Sequence, residues 1–351
     1  STVSKSIAAG TLHTPNAWVH IADDNTITLL SARSEMGQGV YTSMPMLIAE
    51  ELNVDVNKVV ISAAPPGAVY VNALLGAMIT GGSTSVRDGW EKLRIAGAQV
   101  REMLVGAAAA EWGVPASAVK ADNGMLTGPG GKKATYGQMA EAASKQPVPE
   151  KPAIKAPKDF RVVGKRVVRT DAPAKVNGTA EFGIDVRLPG MVYASLEQSP
   201  VIGGKVVSVD SSAAKAMPGV VDVVEIPDGV AVVANSYWAA VKARRALKID
   251  WDFGAGANLS SDDMIESHRQ ASSTGKVLPI QPAKGDAMAA INSAAKKMSA
   301  TYITPLQSHS PMEPMNFTAH VSGGKALLVG PTQFQQGVQG GVAAALGIKP
   351  E

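Results

Sequence analysis

No cysteine occurs among the 351 residues. Disulfides, thiolate zinc sites, cysteine nucleophiles and iron–sulfur ligation by this chain are thereby excluded. Any electron-transfer cluster that works with it has to sit on another polypeptide. Cysteine absence fits the cytosol and the periplasm equally. Aromatic residues are scarce at 5%, and no apolar run is long enough to span a bilayer. Charge of one sign is also lacking: 33 Lys and Arg against 30 Asp and Glu leave a net +3. That is too small a surplus to argue for nucleic acid or an anionic membrane surface. The five histidines, His13, His20, His268, His309 and His320, include no pair at metal-ligand spacing, so a histidine metal site is not expected. Gly37-Gln38-Gly39 lacks the third glycine of the dinucleotide fingerprint, and no glycine loop ends in Lys followed by Ser or Thr. A nucleophile-elbow serine is missing too.

What is present is an ordinary globular composition, 45% hydrophobic and 18% charged. The length predicts two or three domains. With 35 Gly and 22 Pro, many turns and short elements are expected. The chain begins at Ser1 rather than Met, and the expectation is that an N-terminal segment was removed by processing or cloning.

Residues 17–32 read as a hairpin of two β-rich runs around Asp23-Asp24-Asn25. A glycine-punctuated loop follows, and then a helix for which Thr42 or Ser43 is the expected cap, with Pro45 in its first turn. Residues 59–62 are a short buried-strand candidate. Trp90, Leu93, Val100, Met103 and Leu104 recur at helical spacing and predict one long amphipathic helix from Gly89 to Trp112. A second hairpin leading into a short helix is expected before residue 148. Residues 149–164, rich in Pro and Lys and without periodicity, read as a linker. Over 165–252, strand-like runs alternate with two short helices. Residues 253–296 are polar and connecting, and 297–351 open a further unit that stops just after a helix. The whole predicts an α+β protein of several units, the last of them expected to be incomplete.

Two loops carry the most chemistry. Gly37-Gln38-Gly39 precedes one helix, and Thr80-Gly81-Gly82-Ser83-Thr84-Ser85 precedes the longer one. Glycines let a ligand approach the backbone, and free N–H groups at a helix start attract anions. Hydroxyls of Ser83, Thr84 and Ser85 could add bonds to phosphate oxygens. Equally, Ser85 is a plain helix cap and the glycines merely turn the chain; on the residues alone this plainer reading has the advantage. Around His309, Pro311, Glu313 and Asn316 the chain packs polar and proline residues into one bend, either a pocket wall or a tight connection. Gln333 ends an extended run at a strand-to-helix turn, where ligands gather in open α/β arrangements. Its amide could serve a ligand or cap the following helix.

Taken in order, SEMGQGVYTSMPMLIAEEL, TGGSTSVRDGW, DAPAKVNGTAEFGIDVRLPGMVYASLEQSP and HSPMEPMNFTAHV followed by GPTQ resemble one family. It is the molybdopterin-binding subunit family of the xanthine dehydrogenases and aldehyde oxidases. The branch is similar to isoquinoline 1-oxidoreductase β subunits and membrane-associated bacterial aldehyde dehydrogenases, in which the MGQG segment precedes the DAPAKV segment.

The resemblance implies mixed-sheet molybdopterin-binding domains with an inserted α/β hammerhead domain, incomplete without a second polypeptide or a C-terminal half. Residues 1–148 match part of a molybdopterin-binding domain, 165–252 the hammerhead, and 297–351 the start of a second binding domain. Met36, Gly37, Gln38 and Gly39 match the loop that contacts the pterin. Gly81, Gly82, Ser83, Thr84 and Ser85 match the loop that binds the cofactor phosphate. Gln333 matches the glutamine beside the molybdenum oxygen ligands, and Glu313 belongs to a family motif with no role carried over. No protein side chain is expected to bind the metal directly. The family's Gly-Gly-Gly-Phe-Gly loop and its Gly-Glu-Pro segment, which bears the general-base glutamate, are missing. Alone the chain is therefore expected to be inactive, as a piece of a cleaved, split or truncated subunit.

The implied cofactor is a molybdenum–molybdopterin cytosine dinucleotide, with iron–sulfur clusters on a partner subunit. Implied partners are the missing half or companion chain and an iron–sulfur small subunit, with a cytochrome c subunit as a further candidate. The substrate would be an aldehyde or N-heterocycle, and the location the periplasm, with the cytoplasm left open. The competing expectation is a non-catalytic cofactor-binding or assembly module of the same fold.

Overall fold

The computed structural model describes residues 10–276 and 284–350, so residues 1–9 of the expected first domain and 277–283 of the expected connecting segment lie outside the described residues. The chain forms two compact units, one of residues 1–186 and 315–351, the other of residues 187–314.

In the first unit, β1 (Leu12–Asn16), β2 (Val19–Ala22) and β3 (Ile27–Ser31) run antiparallel, and β4 (Val60–Ala63) lies parallel to β3. The expected hairpin is β2–β3, with β1 added on its outer side. A parallel neighbour needs a crossover, which is α1 (Val40–Leu52). Every residue of β3 is buried, as a central strand covered on both faces should be. β4 is the edge strand, and its Val60 is exposed where the sequence predicts burial.

α1 starts at Val40 with Gly39 as its N-cap, φ 87°, so neither Thr42 nor Ser43 caps it. Both lie inside the helix, and Thr42 is buried. Pro45 sits one turn in, where it cannot donate to the Tyr41 carbonyl. The Thr170 hydroxyl donates to that carbonyl instead, at 3.0 Å, while the Thr170 N–H donates to Thr42 Oγ1 at 3.0 Å.

α2 (Ser85–Trp112) begins four residues before the predicted start and packs along α1. Leu93, Val100 and Leu104 are fully buried, each contributing roughly 1.5–3 kcal/mol by leaving water. A Cβ on Gly97 would run into the Ile48 carbonyl, so a glycine there sets the helix spacing. Trp90, expected on the core face, is half-exposed and stacks edge-on against Phe160, with the Arg94 guanidinium against both rings. Beyond α2, β5 (Lys120–Asp122), β6 (Met125–Thr127) and β7 (Lys133–Thr135) form a small antiparallel sheet, one strand more than the predicted hairpin. It leads into α3 (Tyr136–Ser144), which starts with a Thr135–Gln138 capping box.

Residues 149–164, expected as a free linker, are instead bound along the helices. The Glu50 carboxylate accepts the N–H groups of Arg161, Val162 and Val163 and the ammonium of Lys155. Glu51 accepts from Arg94, Arg101 and the Lys155 N–H. Both carboxylates are fully buried. A proline-rich strand cannot pair its own backbone, and side chains of α1 and α2 supply the partners. Burial works to raise the Glu50 pKa, but the Lys155 ammonium and the three N–H donors outweigh it and hold the carboxyl below its usual range. The division of the chain falls at Val186 rather than in this segment, and α4 (Ala172–Val176) still belongs to the first unit.

In the second unit, β10 (Val220–Ile226), β11 (Gly229–Ala234) and β8 (Tyr193–Gln198) form an antiparallel sheet, and β9 (Lys205–Asp210) pairs with β12 (Lys248–Asp252). α5 (Ser212–Lys215) and α6 (Tyr237–Arg244) close a small core of Ala214, Val232 and Ala243. Of the stretch 165–252, read as strand-like runs alternating with two short helices, residues 187–252 carry those elements, while 165–186 belong to the first unit. α7 (Ser261–Thr274) and α8 (Ala287–Ser293) bury none of their residues. The chain then returns to the first unit with the hairpin β13 (Thr318–Ser322) and β14 (Lys325–Val329), followed by α9 (Gln335–Leu346). Among the described residues, no helix is long and apolar enough to cross a membrane.

Candidate functional site

Three segments distant in sequence meet in the first unit, and Ser34 is the joint. Its N–H donates to Thr80 Oγ1 at 2.8 Å, and its hydroxyl donates to the Thr332 carbonyl at 2.5 Å. Gln335 Nε2 donates to Ser34 Oγ at 3.1 Å. Thr80 and Gln333 exchange a pair of bonds at 2.8 Å, Thr80 N–H to the Gln333 carbonyl and Gln333 Nε2 to the Thr80 carbonyl. Met78 N–H donates to Gln336 Oε1 at 2.6 Å. The loop before α1, the loop before α2 and the turn before α9 are thus laced together.

The first loop is held from within. Gly37 and Gly39 take φ values of 99° and 87°, outside the range a side chain adopts easily. Their N–H groups, with that of Tyr41, converge on the Glu35 carboxylate. Gly37 and Gly39 donate to Oε1 at 2.7 and 3.0 Å, and Tyr41 donates to Oε2 at 3.0 Å. Burial tends to raise the Glu35 pKa, but the Tyr41, Gly39 and Gly37 bonds prevail and keep it below the usual carboxylate range. Gln38 folds back, accepting from Met36 N–H at 2.6 Å and donating to the Ser34 carbonyl at 2.9 Å. Arg169 donates to the Gly37 carbonyl at 2.8 Å and reaches Glu35 at 3.3 Å. Asp171, on the far side of Arg169, is held well below its ordinary pKa by that guanidinium and by Lys175. Met36 is left pointing outward, half-exposed.

The second loop satisfies itself differently. Gly82 and Ser83 both adopt left-handed conformations, φ 59° and 53°, an uncommon choice for serine. Thr84 is the N-cap of α2, yet its hydroxyl turns away from the helix, donating to the Gly81 carbonyl at 2.7 Å and accepting from Asn72 Nδ2 at 2.6 Å. The first bond into the helix is Asp88 N–H to the Thr84 carbonyl at 2.8 Å. The N–H groups of Ser85, Val86 and Arg87 are the orphan donors of a helix start; among the described residues, no side chain caps them. Beneath, the Asp88 carboxylate accepts from Arg33 at 2.7 Å, from Lys92 at 2.9 Å and from Ala73 N–H at 2.8 Å. Arg33 and Asp88 are buried almost completely.

The outer side of these loops is open. A Cβ added at Gly37, Gly39 or Gly81 would meet no atom within 4 Å, and one at Gly82 only the Thr84 methyl at 3.6 Å. An anion seated over Ser83–Arg87 would find backbone donors, the positive end of a 28-residue helix and the hydroxyls of Ser83 and Ser85. The phosphate of a dinucleotide cofactor fits that donor set. In the loop before α1, by contrast, the N–H groups of Met36, Gly37, Gly39 and Tyr41 are already taken by side chains of the loop itself.

Sequence reasoning singled out Met36–Gly39, Gly81–Ser85 and Gln333. It missed Ser34, Glu35, Thr80, Arg169 and Gln335, which join and shape these segments. An acidic residue just ahead of a Gly-X-Gly helix start was a readable signal for Glu35; Arg169 had none. The bend around Glu313 forms no helix or strand. No cluster of His, Asp or Glu suited to a metal occurs among the described residues.

The family profile described as molybdopterin cofactor-binding domain matches residues 1–186, and a second profile of the same description matches 269–351. The chain is 30% identical to the β subunit of isoquinoline 1-oxidoreductase from Brevundimonas diminuta, over 96% of the chain and 49% of the relative. It is 34% identical to the membrane-bound aldehyde dehydrogenase (pyrroloquinoline-quinone) of Gluconacetobacter polyoxogenes, over 73% of the chain and 34% of the relative. Identity to a nicotinate dehydrogenase subunit of Pseudomonas putida is 26%, over 90% of the chain and 27% of the relative. The chain spans half or less of the length of each.

Proposed function

The chain belongs to the molybdopterin cofactor-binding family, and from that premise we propose that it is the cofactor-holding part of a molybdenum hydroxylase large subunit. The observation that carries this reading is the uncapped start of α2, laced through Thr80 and Ser34 to the Met36–Gly39 loop and the Gln333 turn. When bound, the molybdenum–pterin group supplies the redox chemistry by which an aldehyde or N-heterocycle carbon gains an oxygen from water.

The residues of this chain bind and orient. N–H groups at Ser83, Ser85, Val86 and Arg87, with the hydroxyls of Ser83 and Ser85, hold the phosphate. Gly81 and Gly82 let it approach, Thr84 keeps the turn tight, and Met36, Gly37, Gln38 and Gly39 border the pterin. Gln333 spends one amide N–H on the Thr80 carbonyl, which leaves its other N–H and its Oε1 to orient substrate or an oxygen ligand. Having no cysteine to ligate a cluster, the chain would rely on iron–sulfur clusters of a partner subunit to take electrons from the bound group, with a cytochrome c subunit as a further acceptor. The general base lies outside this chain, on a companion segment. The cofactor form proposed is the cytosine dinucleotide and the proposed location the periplasm, both on the resemblance to the bacterial isoquinoline 1-oxidoreductase and aldehyde dehydrogenase branch alone.

Native mass spectrometry with metal and pterin analysis of the purified assembly tests the reading. Stoichiometric molybdenum and pterin alongside companion chains are expected; a folded preparation with neither overturns it. Ser83→Ala in that assembly should reduce molybdenum content with little change in stability, within about 0.5 kcal/mol for an exposed side chain. Full occupancy would remove the phosphate assignment. Gln333→Ala should slow turnover while pterin is retained, and unchanged kinetics would remove its role.

A further inference from the structure

Three converging N–H groups at a helix start ordinarily make an anion site. Before α1 the site is already filled by Glu35, whose side chain is 8% exposed. The carboxylate is tethered only two residues from Gly37, the first of its donors, so an external anion competes against a very high effective concentration. Its charge is matched by Arg169 at 3.3 Å, itself fixed by Asp171 at 2.8 Å. The carbonyls of Ser34 and Gly37 and the N–H of Met36 are taken as well, by Gln38, Arg169 and Gln38 respectively. Met36, Gly37 and Gln38 are what the loop leaves exposed, with both ends of the Gln38 amide turned back onto the chain. The Met36 thioether and the open face of the glycines therefore suit a flat ring system more than a phosphate.

We propose that Glu35 is the positioning residue of this loop: its carboxylate serves as the loop's own anion, fixing residues 36–41 in the shape that borders the cofactor and closing the N–H groups of Gly37, Gly39 and Tyr41 to phosphate. The proposal rests on the cofactor reading above. It accounts for two glycine loops serving one ligand without competing for its charged end. The phosphate goes to the start of α2, and the loop before α1 keeps its shape because its charge requirement is met internally. Besides Glu35 and Arg169, the titratable groups at this place are Asp171 and Tyr41, and the Tyr41 N–H is one of the three donors.

Hydrogen–deuterium exchange on the purified assembly, comparing wild type with Glu35→Ala and Glu35→Gln, tests this directly, with pterin and molybdenum content measured on the same samples. In Glu35→Ala, exchange at Gly37, Gly39 and Tyr41 is expected to accelerate by about tenfold or more, the consequence of losing bonds to a charged acceptor. Amides at Ser85–Arg87 should be unaffected. High formate should restore protection at Gly37, Gly39 and Tyr41, because a free carboxylate can enter the vacated place; a role in packing alone would not respond. Glu35→Gln, which keeps one acceptor oxygen and loses the charge, should lie between. Pterin content should fall in the order of lost protection. Unchanged exchange in Glu35→Ala overturns the proposal, as does acceleration that formate leaves untouched. Full pterin content despite a loosened loop overturns the link to the cofactor. If wild type itself carries no pterin, the cofactor reading fails separately, and exchange with formate rescue still decides whether Glu35 is the internal anion.

Discussion

Before α1, the chain bends a carboxylate back onto its own N–H groups; before α2, it turns the capping hydroxyl away and leaves the N–H groups exposed to whatever lies outside. Both loops owe their shape to left-handed residues, Gly37 and Gly39 in one, Gly82 and Ser83 in the other. They differ in where the support comes from. Glu35 supports its loop from within, assisted by Arg169. The second loop is propped from below by Asn72, which engages Thr84, and by the buried Arg33–Asp88 pair. A loop with an internal anion is rigid without a ligand and indifferent to phosphate. A loop held from behind can be equally rigid and still present donors.

The largest expected effect attacks the prop beneath the second loop. Asp88→Ala strands a buried guanidinium and should cost about 3–5 kcal/mol in denaturant unfolding. A loss near zero would mean that the Arg33–Asp88 pair does not support the loop. Acid should separate the loops next. Because the folded pKa of Glu35 lies below its ordinary value, its contribution is complete above the unfolded value of about 4.3 and is lost as pH falls through the lower folded value. Among the described residues, no carboxylate caps the second loop. Protection at Gly37, Gly39 and Tyr41, taken relative to the intrinsic exchange rate at each pH, should therefore fall on acidification before that at Thr84 and Asp88, whose N–H groups are bonded to the Gly81 and Thr84 carbonyls; a simultaneous fall would erase the distinction. The smallest effect is expected from Asn72→Ala. It removes the donor to Thr84 Oγ1 and the acceptor for Leu74 N–H, costing about 1 kcal/mol in stability. The freed Thr84 hydroxyl can then rotate onto the N–H groups of α2, so pterin content should fall. Full content would show that Asn72 does not keep that helix start open.

Much of the architecture was legible in the residues. The 3.6-residue recurrence of Leu93, Val100 and Leu104 is a local consequence of burying one helix face, and it announced α2. The strand-like runs that became β8 to β11 were likewise readable from their β-rich composition, whereas β12 was not. The caps were not. Thr42 is a good cap by type, yet α1 begins at Val40, with Glu35 accepting the Gly39 and Tyr41 N–H groups and Thr42 engaged by Thr170. Residues 149–164 read as a free linker because they lack any period, and they are ordered by Glu50 and Glu51, whose burial no local pattern discloses. Trp90 fell on the right helical spacing and still lies at the rim, stacked with Phe160 from that same segment.

The order of motifs, the glycines that permit left-handed turns and the absence of cysteine were determined by the sequence alone, since each follows from what a residue type can or cannot adopt or ligate. Which glycine loop has its donors free was decided only by the folded chain. That choice depends on a carboxylate, a guanidinium and an amide brought together from positions 35, 169 and 72, and no local pattern specifies where those three groups end up.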